Sequence, residues 1–131
     1  MSQMTYYFAR KIDVPFAEAV ARTKAALSAQ GFGVLSEIDV AATLKAKMGA
    51  DLAPYLILGA CNPQFAHRAL LAEPKIGTML PCNVIVREEA RGRVEIAAID
   101  PVASMQAVEN PALAETAGAV RDRLQKVIAN L

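Results

Sequence analysis

The run Tyr55–Ala60, YLILGA, constrains the fold more than any other stretch. It is unbroken in apolar character, is entered through Pro54, and leaves through Cys61-Asn62-Pro63. An apolar run this short suits a central strand whose two faces are both buried. Asn followed by Pro is a helix start: Asn supplies an N-cap, and Pro fits the first helical position because its missing N–H is not needed there. A buried strand therefore turns directly into a helix, Pro63 to Leu71. That helix ends at Glu73-Pro74, because the residue before a proline avoids helical dihedrals.

The rest of the chain falls in around this unit. Met4 to Asp13 alternates as a first strand. Pro15 to Gln30 carries Phe16, Val20, Thr23 and Leu27 on one helical face, with Gly31 just past its end where a left-handed cap belongs. Phe32 to Val40 alternates again, with Phe32, Val34, Ile38 and Val40 on one face and Ser36 interrupting it. This second strand is expected to pair with the first across the helix. Ala41 to Met48 reads as a short helix closed by Gly49. Its Lys45 and Lys47 lie near the C-terminus, where cations suit the helix dipole.

After the third helix, Ile76 to Leu80 is short and partly apolar. Cys82 to Glu89 and Arg93 to Ile99 form a hairpin about Ala90-Arg91-Gly92. Val102 to Val108 is a loop or one helical turn. Asn110-Pro111 repeats the helix-start signal and opens a helix to about Asn130. On it, Leu113, Ala117, Val120, Leu124, Val127 and Leu131 keep one stripe. The order is β-α-β-(short α)-β-α-β-β-α. It implies an α+β domain, with a mainly antiparallel sheet carrying helices on one face; the βαβ segments leave some parallel pairing open. At 131 residues the whole chain, 1–131, fits a single domain.

Charge and composition bound the function. Formal net charge is +1, with 14 basic and 13 acidic residues, and no basic block. Aromatics are 5% and Trp is absent, so a nucleic-acid footprint is not expected. The N-terminal residues lack the apolar core of a signal peptide, and no run approaches the ~20 residues that span a bilayer. The reading is a cytoplasmic protein without membrane contact, whose two cysteines are thiols rather than a structural disulfide. A hydrophobic fraction of 54% and a mean hydropathy of +0.28 exceed what a small monomer's interior absorbs, so a homodimer is expected.

No catalytic or cofactor-binding motif is complete: nucleophile elbow, P-loop, dinucleotide fingerprint and HExxH are all missing. The function and any cofactor are left open. The candidate site is the pair of tripeptides Cys61-Asn62-Pro63 and Pro81-Cys82-Asn83. Cys61 precedes a helix N-terminus, whose dipole favours a thiolate. Cys82 begins a strand that could bring it near. Against a redox or ligand-contact role stands a simpler one, two small buried hydrophobes. A metal site would need more than Cys61, Cys82 and His67, with Met79 or Met105 completing a soft set for Cu(I). His67 is otherwise a structural histidine within its helix. Asn62 is expected to cap a helix and Asn83 to satisfy a turn, unless their amides face a pocket. Asp39 with Lys45 or Lys47 is an acid/base pair or an exposed ion pair.

The strings GACNPQFAHRAL and IGTMLPCNVIV, together with GFGVLSEIDV, ATLKAKMG, IAAIDP and the closing helix, resemble the DUF302 (TT1751-like) family over nearly the whole chain. The resemblance implies a small α+β domain with an antiparallel sheet, helices on one side, and a dimer. It implies no activity, since the family is named for unknown function. The first functional expectation is a small binding or interaction module with a pocket near the two tripeptides. The alternatives are a thiol redox protein using Cys61 and Cys82, or a soft-metal binder for copper or zinc.

Overall fold

The computed structural model describes residues 5–131. In chain order the elements are β1 (Tyr7–Ile12), α1 (Phe16–Ala29), β2 (Gly33–Asp39), α2 (Val40–Met48), β3 (Tyr55–Cys61) and α3 (Pro63–Ala72). There follow a 3-10 turn (Pro74–Met79), β4 (Cys82–Ala90), β5 (Arg93–Ile99), α4 (Pro101–Ser104) and α5 (Pro111–Ala129). The expected order holds, with the 3-10 turn and the single-turn α4 filling the two ambiguous stretches. Met4, where the first strand was expected to begin, lies outside the described residues.

The strands form one antiparallel sheet in the order β1-β5-β4-β3-β2. This corrects the expected pairing of the first two strands, because β1 and β2 stand at opposite edges. Alternation identifies a strand but not its neighbour. The 14 residues of α1 span ~21 Å, comparable to the ~19 Å between the outer strands of a five-stranded sheet. The crossover is thus long enough to carry the chain from one edge to the other.

The second correction concerns β2. A bulge between Val34 and Ser36 breaks its alternation. Val34 sits opposite Ala60, but Ser36 and Ile38 sit opposite Gly59 and Ile57, on the other side of the sheet. One inserted residue, Leu35, reverses which side chains face the core. Phe32 is buried, whereas Ile38 is 48% exposed, and Val40 belongs to α2. The third correction concerns β3, which is interior but second from the edge. Leu58 and Ala60 are buried beneath the helices; Tyr55 and Ile57 are only half-buried on the opposite face.

All the helices that cover the sheet lie on one side. Leu58, Val84, Val86, Val94 and Ile96 are sealed against Ala19 and Leu27 of α1 and Leu124 and Val127 of α5. The predicted stripe of α5 is the buried one, from Leu113 to Val127, with Ile128 beside it. Thr23 is fully buried within α1, and its hydroxyl donates to the Ala19 carbonyl at 2.8 Å, so its burial leaves no unpaired donor. A second, smaller cluster of Ala69, Ile76, Met105, Leu113 and Ala117 joins α3, the 3-10 turn and α4 to α5. Among the described residues no helix is long and apolar enough to cross a membrane.

Candidate functional site

The β3–β4 ladder places Cys82 directly opposite Ala60, and Asn83 opposite Gly59. Cys61 is the next residue along β3, where it pairs with Gly33 of β2. The two tripeptides, distant in sequence, are therefore brought to one end of the sheet. Gly59 makes this approach feasible. A Cβ there would lie 2.8 Å from Pro81 Cγ and closer still to Ser36 Oγ. Only glycine admits both neighbouring strands at that distance.

Beside this end of the sheet lies a cavity of about 330 Å³, roofed by α3 and α5. Its wall includes Cys61, Cys82 and Asn62, Phe65 and Ala66 of α3, Met105 just after α4, and Leu113 and Val120 of α5. Among the described residues, Asn62 and Thr116 are the other lining residues with a polar N–H or O–H side chain, and none is charged. Cys61 is half-buried and Cys82 buried, and both are free thiols. Burial pushes the Cys82 thiol from 9.0 up to about 11, and charge on the neighbouring Cys61 adds to the rise. Cys82 is therefore a protonated, apolar wall of the cavity at neutral pH.

Two guanidinium groups pack on the ring of Phe65, which lines the cavity. The guanidinium carbons of Arg68 and Arg123 each lie 5.7 Å from the centre of the Phe65 ring, a cation–π distance. Arg123 also donates to the Gln30 carbonyl at 3.2 Å, which ties α5 to the end of α1. Asn62 occupies the N-cap position of α3, yet its side chain makes no cap hydrogen bond. Its amide leans towards Gly31, 3.1 Å from where a Cβ would stand. Gly31 has φ of 83°, so glycine there serves both the left-handed backbone and the close amide.

The remaining candidates lie elsewhere. Asn83 is in strand rather than in a turn, and it points to the helix-free face of the sheet near Tyr7 and Tyr55. His67 is exposed on α3 and does not line the cavity. Asp39 caps α2, accepting from the Ala42 amide at 2.9 Å, and Lys45 pairs with Asp51 at 2.7 Å instead. Met105 lines the cavity; Met79 does not. Among the described residues no three His, Cys, Asp or Glu side chains gather to hold a metal. Sequence reasoning missed Leu35, Phe65, Thr116 and Arg123. Thr116 was legible in principle, three residues after Leu113 on the flank of the α5 stripe. Leu35 was not, because only the bulge turns it towards the cavity.

No curated protein is similar to the chain. A crystal structure of an uncharacterized conserved DUF302 protein from Bacillus stearothermophilus is 30% identical and superposes with a TM-score of 0.89. The match covers 97% of this chain and 98% of that one. The family model for the domain of unknown function DUF302 matches residues 8–131. With the family model matched over nearly the whole chain and the fold in agreement, the chain belongs to the DUF302 family.

Proposed function

We propose that this protein binds a small, largely apolar molecule carrying one anionic group, in the cavity beside Cys61-Asn62-Pro63 and Pro81-Cys82-Asn83. The observation that carries the reading is the cavity itself. At about 330 Å³ it falls within the range of small-molecule sites. Its wall is almost entirely apolar, so burying hydrocarbon there is favourable. Arg68 and Arg123, stacked on Phe65 of the cavity wall, supply positive charge nearby for a carboxylate or sulfonate. The same reading holds the chain to be one domain, a homodimer and cytosolic, the last in keeping with two free thiols.

The test uses 8-anilinonaphthalene-1-sulfonate, which joins an aromatic body to a sulfonate. The native protein is expected to bind it with a rise in fluorescence. Ala66→Phe, which fills the cavity, abolishes the rise. Arg123→Gln weakens binding several-fold without removing it. Unchanged binding by folded Ala66→Phe would contradict the proposal.

A second reading rests on the ladder position of the thiols. With Cys82 opposite Ala60 and Cys61 next to it, the pair could close reversibly. Cys61 as thiolate would attack a small-molecule disulfide, forming a mixed disulfide and releasing one thiol. Cys82 would then displace the second thiol and close the Cys61–Cys82 bond. Intact mass after treatment with oxidised glutathione tests it. Loss of two hydrogens, reversed by a dithiol, supports it; an unchanged mass or a stable glutathione adduct contradicts it. A soft metal would use the same two sulfurs with Met105, and uptake of one Cu(I) lost in Cys61→Ser tests that variant.

A further inference from the structure

The cavity beside the two tripeptides has a direction. Helices α3 and α5 run antiparallel along it: Arg123 stacks on Phe65, Ala69 shares a cluster with Leu113 and Ala117, and the Asn110 side-chain amide donates to the Ala72 carbonyl at 2.9 Å. On α5 the lining runs from Leu113 to Val120, a length of about 10 Å at the rise of an α-helix. The two ends differ. At one, the Asn62 amide nitrogen and Arg123 Nη1 approach a single point, 3.1 and 3.7 Å from where a Gly31 Cβ would stand. Asn62 lines the cavity, and its side chain makes no cap hydrogen bond to its own helix. At the other end the lining residues Ala69, Met105 and Leu113 belong to one buried apolar cluster. Between the ends, the Thr116 hydroxyl already donates to the Ala112 carbonyl at 3.2 Å, so it requires no partner from a ligand.

We propose that the ligand is an unbranched acyl chain of about eight to ten carbons ending in a carboxylate, laid along α3 and α5 with its head at Asn62 and Arg123 and its methyl end at Met105. This rests on the cavity reading above and names the ligand class. The length follows from the wall: an extended chain advances ~1.2 Å per bond, a third of an extended residue's reach, so ~10 Å holds about eight bonds. The polarity follows from the ends. An amide and a guanidinium both donate, and a carboxylate accepts from both. A charge placed anywhere else in the cavity would be buried without a partner. Small side chains on both helices, Ala66 and Ala69 of α3 and Ala117 of α5, leave the space between them to a chain. Met105 sets the limit of length. It lines this cavity together with Leu80, Pro81 and Cys82, and the same four residues line a second cavity of about 300 Å³. They are the partition between the two.

Competition against bound anilinonaphthalene sulfonate tests the proposal, with straight-chain carboxylates from butanoate to tetradecanoate kept below micelle formation. Displacement should strengthen about four-fold for each added CH₂, up to nonanoate or decanoate, and then level off. Methyl decanoate, the same chain without the charge, should compete several-fold more weakly than decanoate. Met105→Ala opens the partition and should carry the rise on to dodecanoate and beyond. Dye that binds but is displaced by none of the carboxylates overturns the proposal and leaves the cavity reading standing. So does a wild-type rise that continues through tetradecanoate, or an ester as strong as its acid. A folded Met105→Ala with an unchanged length limit overturns the placement of the methyl end. Absence of dye binding overturns the cavity reading and this proposal together. If Met105→Ala fails to fold, the wild-type length series and the ester comparison decide.

Discussion

Cys82 faces Ala60 across the β3–β4 ladder, one residue short of Cys61, and both cysteines line the same apolar cavity. The pairing explains why the two thiols differ in chemistry. Cys82 is sealed beneath the helices at 8% exposure, while Cys61, at the strand's end, remains half-open.

Burial of Cys82 has a stability consequence with a definite sign. Its folded pKa of about 11 lies above the ordinary 9.0. The folded protein therefore keeps a proton that the unfolded chain releases above that value. Stabilisation is fully present below pH 9.0 and is lost as pH rises through about 11. Two pH units correspond to about 3 kcal/mol at most. Urea unfolding of wild type should show this alkaline loss, and Cys82→Ala should show a flatter profile between the same limits. Parallel profiles would contradict the assignment.

Gly59→Ala is expected to destabilise the fold by about 1–3 kcal/mol, the usual penalty of overpacking. The added methyl would press on Pro81 Cγ and Ser36 Oγ. Ser36→Ala removes one of the two obstacles and should recover part of the loss. Additive effects in the double-mutant cycle, measured by urea midpoints, would show that Ser36 is not the obstacle.

Asp100 links the sheet to both C-terminal helices. It is buried, accepts from the Val102 amide at 3.0 Å as the cap of α4, and lies 3.6 Å from Arg121 Nε. That nitrogen is buried and has no hydrogen-bond partner among the described residues. Asp100→Ala removes cap and counter-charge together, and should cost about 2–4 kcal/mol in thermal unfolding. Asp100→Asn keeps a capping oxygen and should cost less. Equal losses would assign the whole effect to charge.

Leu35 should separate binding from stability. As the bulged residue it is 69% exposed yet lines the cavity. Leu35→Ser should leave the unfolding midpoint within about 0.5 kcal/mol of wild type, while weakening anilinonaphthalene sulfonate binding several-fold. A large loss of stability would show that Leu35 belongs to the core.

Much of this architecture was legible in the sequence because it rests on local chemistry. The Asn-Pro steps at Asn62 and Asn110 mark helix starts that the structure repeats, and the α5 stripe from Leu113 to Val127 is the buried one. Long-range facts were not legible. The neighbours of β1 and β2 depend on how far α1 carries the chain, which alternation does not encode. The bulge at Leu35 is a one-residue slip that sends Ser36 and Ile38 to the other face. The site divides in the same way. Cys61, Cys82 and Asn62 follow from the strand–turn–helix unit, whereas Arg123 reaches Phe65 from a helix nearly sixty residues further along. Asn62 shows the limit of a cap rule: its backbone obeys, but its side chain turns to Gly31.

The most direct test of the proposed cavity site is amide chemical-shift mapping of the native protein during titration with anilinonaphthalene sulfonate. The account predicts saturable shifts concentrated at Ala60–Phe65 and Leu80–Cys82, with Thr116 to Val120 following. Shifts confined to the helix-free face around Ile85 and Ala97, or no saturable shifts at all, would contradict it.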